Sequence, residues 1–272
     1  MSRYIRLTMT ICIFLSASAA GAPDCEPATL PATLPTTRPA TMKILRNLEQ
    51  TGDEYATVRA DVNYHVEMPQ TGDSETRSGW VAYQKQSEKA AAKFRIHFET
   101  LRLGAGRKTR DRVDYAFDGK WLSVKKHRIR QMTRYQLADD NLPTKEAQPL
   151  RLGKGPFPIP FGQKADDVLK YFRVQSRPAA PKEPQGCDYL KLTPYRKFRR
   201  EMDFVRLEMW IDRERHLPAK IISVDKNKDE RTVIFDNIKT NVRFNDAMFH
   251  LPRPAGWQLR VEPLRKGDKI AP

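Results

Sequence analysis

Long apolar runs are what this sequence most lacks. Past the N-terminal segment no stretch approaches the ~20 residues a membrane-spanning helix needs, and the mean hydropathy is −0.67, which excludes a polytopic membrane protein. Cysteine is scarce, with 3 in 272 residues, so the fold has to stand on its hydrophobic core rather than on a disulfide framework. The five histidines, His65, His97, His127, His216 and His250, are scattered, and no His-x-x-x-His or Cys-x-x-Cys spacing offers a metal site. A Gly-x-Ser-x-Gly elbow and a glycine-rich phosphate loop are also missing. These absences leave no catalytic residue, metal or cofactor to name. Acidic residues are outnumbered too, with 33 Asp+Glu against 49 Lys+Arg and a net charge of +16.

What is present begins at the N-terminus. Arg3 and Arg6 precede an apolar run over 7–15, small residues follow over 16–22, and Ala17-Ser18-Ala19 supplies a small-x-small cleavage pattern. The segment 1–19 reads as a secretory signal peptide, which makes the expected location periplasmic, with the protein soluble after cleavage. Ala22-Pro23-Asp24 before Cys25 does not match a lipidation triplet. Export makes nucleic acid an unfitting partner for the basic surface and favours anionic headgroups, anionic polymers or acidic proteins. Cys12 leaves with the leader, and whether Cys25 and Cys187 pair stays open, because spacing alone gives no geometry.

The repeated Pro, Ala and Thr of 20–41 read as a linker. Ile44, Leu45 and Leu48 then fall at helical spacing, predicting a short amphipathic helix over 42–50 with Thr51-Gly52 as its stop. From there the period is two. Val58, Ala60, Val62, Tyr64, Val66 and Met68 alternate with polar residues, as do Phe94, Ile96 and Phe98 further on, and strands are expected over 58–68, 79–84, 93–101, 115–117, 121–124 and 130–135. Asp118-Gly119 reads as a tight hairpin turn. Proline and glycine punctuate 139–162, and 163–172 predicts a second amphipathic helix with Ala165, Val168, Leu169 and Phe172 on one stripe. Asp166-Asp167 sits in its first turn, where carboxylates suit the positive dipole end. Strands resume over 188–193, 204–211, 219–225 and 231–238. The expected fold is mainly β with a few helices: a strongly curved antiparallel sheet forming an unclosed β-barrel with a helical lid, over 42–260, followed by an unstructured basic tail, 261–272.

The order of these features resembles the periplasmic outer-membrane lipoprotein carrier family, the LolA-like proteins. Carrying the resemblance are Gly79-Trp80-Val81-Ala82-Tyr83 before Lys93-Phe94-Arg95, Phe117-Asp118-Gly119-Lys120-Trp121-Leu122, Leu190-Lys191-Leu192-Thr193-Pro194, Ile234-Phe235-Asp236-Asn237-Ile238, and the closing stretch from Phe249 through Pro252 to Gly256 and Trp257. It implies a concave apolar face that receives acyl chains without covalent chemistry, hence an exported, monomeric carrier of lipids or lipoproteins and not an enzyme. Lining residues on this resemblance are Val62, Tyr64, Trp80, Phe94, Ile96, Phe98, Leu207 and Met209, with Phe161, Val168, Leu169 and Phe172 as lid. A membrane-bound release or acceptor partner would meet the basic clusters at 107–112, 125–128 and 196–200. The chain departs from the family at Ala90, where carriers place a lid-latching arginine, and at the long segments 102–112 and 139–162. The alternative is an envelope interaction or sensor module of the same fold that binds a protein or an anionic polymer.

Overall fold

Alternation in the sequence becomes alternation in burial. The computed structural model describes residues 39–87, 91–138 and 163–263. Residues 1–19, expected as a leader, residues 20–38 of the expected linker, the segment 139–162 with Phe161, Ala90, Cys25 and residues 264–272 lie outside the described residues. The chain runs α1 (Pro39–Glu54), β1 (Thr57–Met68), β2 (Asp73–Gln84), β3 (Lys93–Leu103), β4 (Thr109–Phe117), β5 (Trp121–Lys126), β6 (Gln131–Gln136), α2 (Ala165–Tyr171), β7 (Phe172–Pro178), β8 (Cys187–Pro194), β9 (Phe204–Asp212), β10 (Pro218–Asp225), β11 (Glu230–Thr240) and β12 (Gln258–Glu262).

All twelve strands join one sheet, ordered β12-β6-β5-β4-β3-β2-β1-β11-β10-β9-β8-β7. Its two edges do not pair with each other, so the sheet is unclosed, as expected. Neighbours are antiparallel except β12, which runs parallel to β6. Because cross-strand partners share a face, the register sorts every side chain. On one face Val58, Ala60, Val62, Tyr64 and Val66 of β1 join Val81 and Tyr83, Phe94, Ile96 and Phe98, Phe117, Leu122, Val233 and Phe235, Ile221, Leu207, Met209 and Ile211, and Leu190 and Leu192 in one continuous apolar cluster. Leu45 and Leu48 of α1 and Ala165 and Val168 of α2 belong to the same cluster.

Several sequence-based boundaries shift. The first helix starts at Pro39 and runs through Gly52 to Glu54, so the last three residues assigned to the linker are helical; proline is preorganised for a first helical turn. The turn after β4 centres on Gly119-Lys120, since Asp118 N donates to Trp121 O at 3.3 Å, and Gly119 takes the positive φ of 104°. Phe172 leaves the expected helix and opens β7. The tail begins later than 261, because Val261 and Glu262 pair with Arg134 and Tyr135 in the β12/β6 ladder. Gly79 is required by packing: a Cβ there would sit 1.7 Å from the His97 carbonyl oxygen across the β2/β3 pair.

Candidate functional site

The apolar face gathers most of the side chains singled out from the sequence. Val62, Tyr64, Phe94, Ile96, Phe98, Leu207 and Met209 are all buried on it, as are Val168 of α2 and Phe172 of β7. Aromatic contacts knit its middle, with Tyr64 5.8 Å from Phe98, Phe98 edge-on to Tyr115 at 6.3 Å, and Phe94 stacked on Phe117 at 5.9 Å. Burial pushes the Tyr64 and Tyr83 phenols up to about 12, a sign of how dry this face is. Toward its margin Tyr115, Val124, Leu137, Leu169, Tyr171 and Val174 are only partly covered. Tyr83, Phe117, Phe204 and Phe235 belong to the same surface and were not singled out from sequence; the first two pair with Phe94 and Phe235 with Val62, whereas Phe204 reaches this face only through the register shift in β9/β10 and stacks on Phe172 at 5.7 Å.

Trp80 does not join them. It pairs with Asp61 and His97, whose side chains lie on the other face, and the Cζ atoms of Arg59 and Arg95 lie 4.1 and 5.3 Å from its ring centre. Alternation in β2 decides this: Val81 and Tyr83 point to the core, so Trp80 cannot. Phe161 lies outside the described residues.

Over the apolar face, α2 is the slightest element. It has seven residues, shorter than an isolated helix can sustain in water, and its N-cap Lys164 makes no side-chain capping bond. It has two polar ties to α1: Arg46 bonds Asp166 at 2.9 Å at an exposed position, and Glu49 accepts from Ala165 N at 3.4 Å in a part-buried one. Asp166 and Asp167 occupy the first turn and Lys170 the last, the charge order the helix dipole favours.

The second face of β3–β6 carries a polar knot. Asp114, 3% exposed, accepts from Arg95 Nη2 at 2.8 Å, from His97 Nδ1 at 2.9 Å and from His127 Nε2 at 2.8 Å. Burial alone would raise its pKa, but the hydrogen bonds from His97, Arg95 and His127 outweigh burial and hold the carboxyl far below the usual range. Its hydrogen bond to Asp114 in turn raises His97. Both oxygens of Asp114 are thus filled by cationic or imidazole donors, and the knot anchors the chain's end: Arg95 Nη1 donates to Met248 O at 3.1 Å, Trp257 sits edge-on to His127 at 5.1 Å, and Leu251 packs on Ala116 and Met132.

The basic clusters all fall at one end of the sheet, 107–112 and 125–128 on the neighbouring β4 and β5 and 196–200 on the opposite wing beyond β8. Register places the β3–β4 hairpin tip, the β5–β6 turn and the segment after β8 at the end where β1 finishes and β11 begins. Arg102, Arg107, Lys108, Arg110, Lys126, Arg128 and Arg130 are exposed there, and two apolar side chains stand among them, Leu103 at 60% and Ile129 at 51% exposure.

No protein-family model and no curated protein matches the chain. Solved structures similar to it include an uncharacterized conserved protein from Thermus thermophilus, 12% identical over 82% of this chain and 99% of that one, with a TM-score of 0.47. Lipoprotein LppX from Mycobacterium tuberculosis is 10% identical over 77% of this chain and 100% of its own, with a TM-score of 0.45. A LolA superfamily protein from Nitrosomonas europaea is 13% identical over 78% of this chain and 97% of its own, with a TM-score of 0.35.

Proposed function

We propose that this protein is an exported, non-catalytic carrier that holds acyl chains of lipids or lipoproteins against the apolar face of its open sheet, under α2. The observation that carries this reading is a single uninterrupted apolar surface spanning β1–β5 and β7–β11, covered in part by a seven-residue helix whose N-cap is bare. A protein fold needs a core, but it does not need the rim of that core to carry half-covered aromatic and aliphatic side chains, among them Leu169 and Tyr171 of the seven-residue α2. Acyl chains displacing α2 would gain ~0.8 kcal/mol per buried methylene, so one or two chains suffice for reversible capture. The basic end of the sheet, with Leu103 and Ile129 exposed, supports docking on an anionic membrane, where loading or release would take place.

The test is native mass spectrometry with organic extraction of the exported, mature protein purified without detergent. A stoichiometric lipid or acylated peptide is expected, lost on Ile96→Glu. Because Ile96 is buried and its variant risks misfolding, Leu169→Glu on the half-covered margin serves as the second variant and is expected to weaken retention with the fold intact. A protein that carries no lipid and does not take up an acylated peptide would overturn the carrier reading in favour of an interaction module.

A further inference from the structure

At the opposite end of the sheet from the basic hairpin tips, register sets Arg59 of β1 directly across from Lys239 of β11. Like charges facing each other across a ladder destabilise it unless something negative comes between them. The neighbouring rung holds Asp61 opposite Asp236; Asp61 attracts Arg59, but both carboxylates accept their hydrogen bonds from amides and neither pairs with a cation of the Arg59/Lys239 rung. Asn237, held at the bulge with a φ of 50°, donates Nδ2 to Asp61 Oδ2 at 2.8 Å, and Asn63 Nδ2 donates to Asp236 Oδ2 at 3.4 Å. A third cation arrives from the β9–β10 turn. Asp212 Oδ1 accepts from the backbone N–H groups of Glu214 and Arg215, both at 2.8 Å, and the turn so fixed brings Arg215 to the same place.

Together Arg59, Asp61, Arg215, Asn237, Ile238 and Lys239 line an open groove of about 530 Å³. Among the described residues none of the three cations has a carboxylate within ion-pair distance. Arg59 Nη1 is buried and has no hydrogen-bond partner, while its guanidinium lies 4.1 Å over Trp80. Stacking fixes the plane of the fork and leaves a donor unused, and an unused buried charged donor is the costly kind. Burial also lowers the Arg59 pKa against the pull of Asp61, so this cation is poorly hydrated where it stands.

We propose that this groove binds an oxyanion of the phosphate class, gripped by the Arg59 fork and closed by Arg215 and Lys239. Guanidinium geometry matches the paired oxygens of a phosphoryl group, and the volume admits a small organic body beyond it. This site differs from the acyl-binding face, since Arg59 and Trp80 point to the other side of the sheet and only Ile238 of its lining touches the apolar cluster, and it goes beyond the carrier reading.

The experiment is calorimetric titration of the full exported chain with inorganic phosphate and with glycerol phosphate, alongside sedimentation with vesicles of phosphatidylglycerol in phosphatidylcholine. Saturable, one-to-one binding of at least one soluble phosphate is expected. Arg215→Gln and Lys239→Gln, both exposed positions, are expected to weaken it about tenfold each, and Arg59→Lys, which keeps charge but removes the fork, is expected to weaken it as well. Lys228→Gln, exposed in the β10–β11 turn at the other end of the sheet, is expected to leave it unchanged. If the groove variants also lose phosphatidylglycerol vesicles, the phosphate belongs to a lipid headgroup. If only soluble phosphate is lost, it belongs to a free phosphorylated compound. No saturable binding, or equal weakening by the variant at the far end, would overturn the site.

Discussion

Asp114 shows how much one side chain can organise. Its carboxylate is 3% exposed and ties β3, β4 and the β5–β6 turn together through Arg95, His97 and His127. Breaking a buried, multiply paired charge costs more than an exposed ion pair, because the remaining donors stay buried without a counter-charge. Asp114→Asn is therefore expected to lower stability by about 3 kcal/mol, read by denaturant unfolding. The pH dependence follows from the two shifts. Asp114 is depressed from its ordinary 3.8, so its contribution is present above that value and fades as the pH falls toward its folded pKa. His97 is raised from 6.5, so its contribution is full below that value and is lost as the pH rises through its folded pKa. The knot thus contributes most between about pH 4 and 6.5. A melting-temperature profile extended below pH 4 and above pH 6.5, where the parent loses these contributions, should be markedly flatter in the Asn variant. An unchanged profile with unchanged melting would mean that the knot is not what holds the C-terminal segment in place.

Among elements, α2 is the one most easily opened. Seven residues give few internal hydrogen bonds, the N-cap is bare, and its ion pair to α1, Arg46–Asp166, is exposed, whereas β1 is paired along its length on both sides. Local opening free energies span from near zero to the global value within one domain. Hydrogen exchange is expected to show the α2 amides exchanging at least about a hundredfold faster than those of β1, and slower once an acyl chain is held beneath. Exchange of α2 as slow as β1 would remove it as a movable cover. The sequence made α2 legible through the Ala165, Val168 and Leu169 stripe, and β1 and β3 through strict alternation. It could not show β7, which hides behind the helical pattern because Phe172 continues the stripe, nor β12, whose Leu259 and Val261 are exposed at 39% and 49% and answer to ladder pairing with β6 rather than to burial. Trp80 was misplaced for a related reason. Gly79-Trp80-Val81 puts apolar residues on both faces, and only the register with Asp61 and His97 tells which side the indole takes. The polar knot at Asp114 was illegible because His97, Asp114 and His127 are brought together only by strand pairing.

At the scale of the whole molecule, charge is unevenly placed, and the placement is more telling than the net +16. The β3–β4 tip and the β5–β6 turn are neighbours because β4 and β5 pair through Val113 and Lys126, so two clusters far apart in sequence become one surface. Some of its charge is answered internally: Arg110 bonds Glu99, and Arg128 lies 3.7 Å from Asp111. Arg102, Arg107, Lys108 and Lys126 remain exposed, next to Leu103 and Ile129. Each such cation near an anionic leaflet contributes about 1 kcal/mol, and an apolar tip that reaches below the headgroups adds burial that salt does not screen. The two contributions can be separated. Arg107→Gln/Lys108→Gln is expected to weaken binding to phosphatidylglycerol vesicles about tenfold or more and to reduce its salt dependence. Leu103→Ser is expected to weaken binding while leaving the salt dependence as it was. Neutral phosphatidylcholine vesicles should bind neither form. If the parent protein ignores anionic vesicles, or if Leu103→Ser binds them as well as the parent does, the basic end is not a membrane-docking surface, and its charge serves a soluble acidic partner instead.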